Sequence, residues 1–240
     1  MASPWRAVMT AVAAVILAGS MFGGAYVEAT VLAVLGCVFA MGWPVLISAP
    51  APRSAGIVIA ISAVAAAAVV ALEGSPIYLT LVLAFGVIAA FIHQMARSNG
   101  RGDLVNAVSA TVAGIVVVVS SSGWILAFSS PMGDETVIAA LVVLVVASAV
   151  TAMPVNSLLV AGIAALLGAG VGLGVGWYLP HLSPLTGAIS GLVSGAMMSL
   201  THVVLGGFPA VRKWGAAMAA ALLPMLVLGI PIHLIGTLAS

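Results

Sequence analysis

His93, Arg97, Arg101, His202, Arg212 and Lys213 are the residues whose types could share one chemical task. Imidazoles beside guanidinium and ammonium groups supply hydrogen-bond donors and positive charge, and the planar arginine fork matches a phosphate in pairs. The chemistry that follows is the holding of an anionic headgroup or a phosphorylated ligand. Anchoring of helix ends at a membrane surface would gather the same residues, so the two readings share one signature. His233, near Pro231, has no evident partner. Spacing supports no other chemistry. The five carboxylates, Glu28, Glu73, Asp103, Asp134 and Glu135, are scattered and include no aspartate pair for Mg²⁺. There is no GxSxG, no phosphate loop, no HExxH, and no His, Asp or Glu at i, i+3 or i, i+4 on an apolar segment. No catalytic residue, metal site or cofactor is therefore assigned, and an enzyme is the least supported class. Cys37 is the single cysteine, which excludes an intrachain disulfide, a cysteine metal site and a CxxC motif, and leaves a small packing residue.

The elements that must position these groups are apolar. Of 240 residues, 64% are hydrophobic and 5% charged, with mean hydropathy +1.35, so lipid must be the solvent for most of the surface. A net charge of +1 without a basic stretch gives nucleic acid no footing. Apolar segments at 7–22, 29–48, 55–72, 76–93, 104–128, 136–152, 156–178, 186–206 and 214–238 predict an all-α, polytopic membrane protein of nine spans. It forms a single transmembrane domain over 1–240 with no soluble domain. Residues 1–20 read as an uncleaved first span. Glycines and prolines punctuate the gaps, and Met153-Pro154-Val155-Asn156 is the one break between spans six and seven.

Charge sorts by gap. Arg6, Arg53, Arg97, Arg101, Arg212 and Lys213 fall in alternate gaps, and Glu28, Glu73, Asp134 and Glu135 in those between; Asp103 alone breaks the pattern. Cytoplasmic loops collect Lys and Arg, which places the N-terminus inside and the C-terminus outside. Aromatic residues that prefer the headgroup level agree: Trp5, Trp43 and Trp214 at inner ends, Trp124, Trp177, Tyr26, Tyr78 and Tyr178 at outer ends.

Small residues recur every four positions in two consecutive spans: Gly168, Gly172 and Gly176, then Gly187, Gly191, Gly195 and Ser199. Such glycine zippers let helix backbones approach closely, so spans seven and eight are expected to pack face to face. Pro224, Gly229 and Pro231 predict a bent ninth span, and Ser120-Ser121-Ser122-Gly123 a polar stretch in the fifth. No Asp, Glu, Lys or Arg is read as lying deep in a span, which weakens an ion-coupled carrier.

From residue 76 onward the layout resembles the phosphatidate cytidylyltransferase (CDP-diacylglycerol synthase) family. HQMARSNGRGDLVNAVSATVAGIVVVV is similar to that family's basic loop and following span. SGLVSGAMMSLTHVVLGGFPAVRKWGAAMAAALLP is similar to its last two spans and the basic loop between them. The family's long inner loop rich in Asp, Lys and Gly is replaced by residues 153–156, and its Pro-Gly-His-Gly-Gly signature has no counterpart around Gly206-Gly207-Phe208-Pro209. The resemblance thus implies a noncatalytic relative. The leading reading is a noncatalytic multi-pass protein of a bacterial plasma membrane, an accessory of lipid or cell-envelope synthesis. Its partners would be the bilayer, an anionic lipid, and a membrane protein or a second copy. A small permease or the substrate-binding membrane subunit of a transporter is the alternative, and a degenerate cytidylyltransferase-like enzyme the third.

Overall fold

The computed structural model describes residues 3–96, 103–130, 133–153 and 156–239, and every regular element among them is a helix. In order these are α1 (Ser3–Ser20), α2 (Ala25–Leu46), α3 (Pro52–Glu73), α4 (Ile77–Met95), α5 (Leu104–Ser121), α6 (Gly123–Phe128), α7 (Gly133–Thr151), α8 (Ser157–Tyr178), α9 (Pro184–Gly206) and α10 (Trp214–Ala239), with short 3-10 turns at Met21–Gly23 and Pro209–Arg212. Helices α5 and α6 are two pieces of one span. Among the described residues nine spans, 19 to 26 residues long, are long and apolar enough to cross a membrane. The chain is a helical, multi-pass membrane protein.

Local chemistry explains the boundaries. Pro52 and Pro184, read above as loop breakers, open α3 and α9 at the first helical positions, where a missing N–H costs nothing. Ser183 caps α9 by accepting from the Thr186 amide at 3.0 Å, and Asn156 caps α8 by accepting from Leu158 at 3.0 Å. Gly74 ends α3 in the left-handed conformation (φ 62°), which its lack of a Cβ permits.

Helix α10 is the axis of the bundle. It packs against α2, α5 and α6 on one side and α1, α7 and α9 on the other. Peripheral α4 packs on α3 and α5, and peripheral α8 on α7 and α9. Two prolines inside α10 leave carbonyls without helical donors, and neighbouring helices approach them. Pro231 removes the donor for Val227 O, and Ser120 Oγ donates to that oxygen at 2.7 Å. Near Pro224, Thr10 Oγ1 donates to Ala221 O at 2.7 Å, and Trp124 Nε1 donates to Met225 O at 2.9 Å. Pro44 of α2 likewise frees Ala40 O, where Gly56 of α3 packs so closely that an added Cβ would lie 2.8 Å from it.

The most extended close approach joins α8 to α9. A Cβ added to Gly168 would lie 2.5 Å from Gly191 O, one on Gly191 would lie 2.9 Å from Gly172 Cα, and one on Gly176 would lie 2.8 Å from Ser183 O. Gly187 meets Gly172, and Gly195 meets Ala164, with as little room. Ser199 is buried on the same helix and donates to Ala196 O. Gly162, Gly170 and Gly174, on the remaining faces of α8, have nothing within 4 Å.

One expectation about aromatics is corrected. Trp124 is 0% exposed, so it is a core residue of α6 and not a headgroup-level ring. Trp43 is half-buried, and its Nε1 donates to Ala110 O at 3.0 Å. Trp5, Tyr26, Tyr78, Trp177, Tyr178 and Trp214 are exposed at helix ends.

Candidate functional site

The basic residues do not all converge. His93 lies in the last turn of α4, half-buried with its Nε2 enclosed and without a partner, on a helix that packs on α3 and α5. His202 lies on α9, which packs on α7, α8 and α10. Arg212 and Lys213 are exposed at the turn before α10, beside exposed Trp214. Arg97 and Arg101 lie outside the described residues.

What His202 does meet is Arg6. Hydropathy placed Arg6 ahead of the first span, but it sits within α1 and is half-buried. Arg6 and His202 line a niche of about 20 Å³ together with Thr10, Thr151, Thr201 and Pro224. The volume suits one oxygen-sized atom. Four helices, α1, α7, α9 and α10, supply the walls. The threonine hydroxyls already donate to carbonyls: Thr10 to Ala221 O, Thr151 to Ser148 O at 2.9 Å, Thr201 to Met197 O at 2.9 Å. Arg6 Nε is buried and has no acceptor. The niche therefore offers a positive charge and an unused N–H to an anionic oxygen. Trp5 and Trp214 are exposed at the same end of the bundle, where α1 and α10 both begin.

At the opposite end the structure corrects a second placement. Glu28 was read as a gap residue ahead of the second span. It belongs to the first turn of α2, is 0% exposed, and has no hydrogen-bond partner at either carboxylate oxygen. A carboxyl group thus lies inside the bundle, where the sequence was read as holding none. Ser122 Oγ, at the junction of α5 and α6, and His233 Nδ1, on α10, are also buried and unpartnered. Nearby, Glu135 of α7 reaches the α8–α9 loop: His181 N donates to its Oε2 at 3.0 Å, and His181 Nδ1 lies 2.9 Å from its Oε1. Sequence reading passed over this pair because its members are far apart in the chain.

Among the described residues no group of three His, Cys, Asp or Glu is arranged to hold a metal ion. An apolar cleft of about 430 Å³ lies between α3 and α4, lined by Val58, Ile61, Val69, Tyr78 and Phe85, with Ser62 and Gly86 at its floor. Its chemistry fits a hydrocarbon chain. Cys37 is half-buried and lines a second apolar cleft between α2 and α3. Comparison with known proteins finds no matching family model, no matching curated protein and no matching solved structure.

Proposed function

We propose that the protein is a noncatalytic component of a bacterial plasma membrane, an accessory of lipid or cell-envelope synthesis, that holds an anionic lipid where Arg6 and His202 meet. One observation carries this reading: Arg6, whose buried Nε–H has no acceptor, lines a niche sized for one oxygen. A phosphate oxygen completes that donor, and the paired geometry of arginine favours phosphate over other anions. The setting supports it. Exposed Trp5 and Trp214 mark the headgroup level, and Arg212 and Lys213 add positive charge beside them. In this orientation the basic end faces the inner leaflet and the N-terminus is inside. The interhelical hydrogen bonds to α10 favour a packed scaffold over an open conduit. The cytidylyltransferase-like layout of the second half fits a noncatalytic partner in the same chemistry.

The test is lipid retention. Protein purified in mild detergent from vesicles of mixed phosphatidylglycerol and phosphatidylcholine should retain phosphatidylglycerol in native mass spectra. Arg6→Gln should lose most of it at unchanged helicity, with His202→Ala in between. Competition by inorganic phosphate would identify the phosphate itself as the recognised group. Equal retention by the wild type and Arg6→Gln would end this reading. A second reading, a small permease, is favoured by one observation, the buried carboxyl of Glu28 on a helix packed against the interrupted span α5–α6 and against α10 with its two internal prolines.

A further inference from the structure

Glu28 poses a separate chemical problem from the lipid niche, at the other end of the bundle. The elements packed on α2 are α1 with the turn Met21–Gly23, α3, α5, α6, α10 and the turn Pro209–Arg212. Their ionisable side chains are few. Helix α3 carries Arg53 and Glu73, α10 carries His233, α1 carries Arg6 and the second turn carries Arg212, while α5 and α6 carry none. Arg6, Arg53 and Arg212 belong to the opposite end from Glu28. Glu73, which is exposed, and His233 belong to its own end.

The level of His233 follows from helix geometry. Gly42 of α2 abuts Gly215 of antiparallel α10. Equal steps along both helices, about 21 Å at 1.5 Å per residue, lead to Glu28 on one and Gly229 on the other. His233 is one turn beyond Gly229. Gly229 itself packs against Ser121, since a Cβ added there would lie 2.9 Å from Ser121 O. The three elements that carry the unpartnered Glu28 carboxyl, Ser122 Oγ and His233 Nδ1 are therefore mutually packed at one end of the bundle.

A carboxylate ion in this position would have no hydrogen-bond donor and, among the described residues of the helices packed on α2, no cationic partner at its own end. Such a charge is far more costly than an uncharged acid, because the low-dielectric interior returns none of the lost hydration. We propose that Glu28 is a proton-binding site: the folded protein carries it as a neutral carboxylic acid inside the membrane bundle. The ligand is a proton. Ionisable groups inside membrane bundles mark proton and ion pathways, so this assignment gives the outer end a role independent of lipid retention.

Infrared spectroscopy of the full-length protein in vesicles at neutral pH tests it. The wild type should show the carbonyl stretch of a protonated carboxyl, and Glu28→Gln should lose that band. Loss of an ionised carboxylate band in Glu28→Gln, with no acid band in the wild type, would overturn the assignment. Should that variant fail to fold, dicyclohexylcarbodiimide decides on the wild type. The carboxyl O–H adds across one C=N bond, its proton passing to nitrogen and its oxygen to carbon. The acyl group then migrates to nitrogen, leaving a stable adduct that keeps every reagent atom. Peptide mapping should find the adduct at Glu28 in preference to Glu73. An adduct at Glu73 alone, together with an absent acid band, would overturn the proposal. So would protection of Glu28 by sodium ions at constant pH, which would make an alkali cation the ligand. Lipid retention in the Arg6→Gln experiment is indifferent to all of these results.

Discussion

Two single-residue contrasts separate packing from composition. Gly191 and Gly174 are equally small, yet a side chain on Gly191 collides with the backbone of α8, while one on Gly174 enters open space. Gly191→Leu should destabilise the fold by about 1–3 kcal/mol through overpacking. Gly174→Leu should leave thermal stability unchanged or raised, since leucine favours helix over glycine. Melting temperatures in one detergent check both, and equal losses would mean that glycine content matters and position does not. Glu135→Ala should cost about 1–3 kcal/mol by orphaning the His181 amide and releasing the ring. His181→Ala should cost less, because the amide keeps its acceptor. These residues differ in how far the sequence exposes them. The glycine rows are legible because a four-residue period survives any error in segment boundaries. Glu28 and Arg6 are not, because hydropathy draws boundaries at charged residues, so a charge within a helix end is assigned to the loop by construction. The Glu135–His181 pair is illegible for another reason, since nothing local links residue 135 to residue 181.

At the scale of elements, α10 shows how a helix with two internal prolines becomes the axis of a bundle. Prolines at 224 and 231 make it a poor helix alone, but hydroxyl and indole donors from α1, α5 and α6 meet its carbonyls. The broken span α5–α6 and the proline-bearing α10 are thus one device: at the break Ser121-Ser122-Gly123, Gly123 lies against Gly229, where an added Cβ would lie 2.6 Å from Gly229 O. If Ser120 serves the carbonyl that Pro231 frees, the two substitutions must couple. Ser120→Ala alone should cost about 0.6 kcal/mol, the average for interhelical hydrogen bonds in membranes, and at most about 1.7 kcal/mol. In a Pro231→Ala background, where the amide is restored, it should cost measurably less. A double-mutant cycle of unfolding free energies measures the difference, and strict additivity would show that the hydroxyl and the proline act separately. The prolines and the serine run were visible in sequence as a bend and as polar packing groups. Their complementarity was not, because it depends on the register between spans that lie about a hundred residues apart.

At the scale of the whole molecule, hydropathy alone anticipates all nine spans, because a bilayer forces every backbone polar group into a helix and fixes its length. It does not anticipate which helices touch. Lipid is as apolar as leucine, so helix neighbours are chosen by small residues, carbonyl acceptors and shape. This is why α1 packs against α7 and α10, and why His93 and His202 stand on helices with different neighbours although basic residues follow each in the sequence. The two ends of the molecule are chemically unlike. One gathers Arg6, Arg53, Arg212 and Lys213, and the other gathers Glu28, Glu73, Asp134 and Glu135. The placement of the lipid niche at the inner leaflet and of Glu28 toward the outer side rests on the orientation in which the basic end faces the cytoplasm. In a Cys37→Ser background, single cysteines introduced by Ser98→Cys and Asp134→Cys should be labelled by an impermeant maleimide from opposite sides of intact cells. Asp134→Cys should react from outside, and Ser98→Cys only after permeabilisation. Labelling of both from the same side, or of Ser98→Cys alone from outside, would contradict the account.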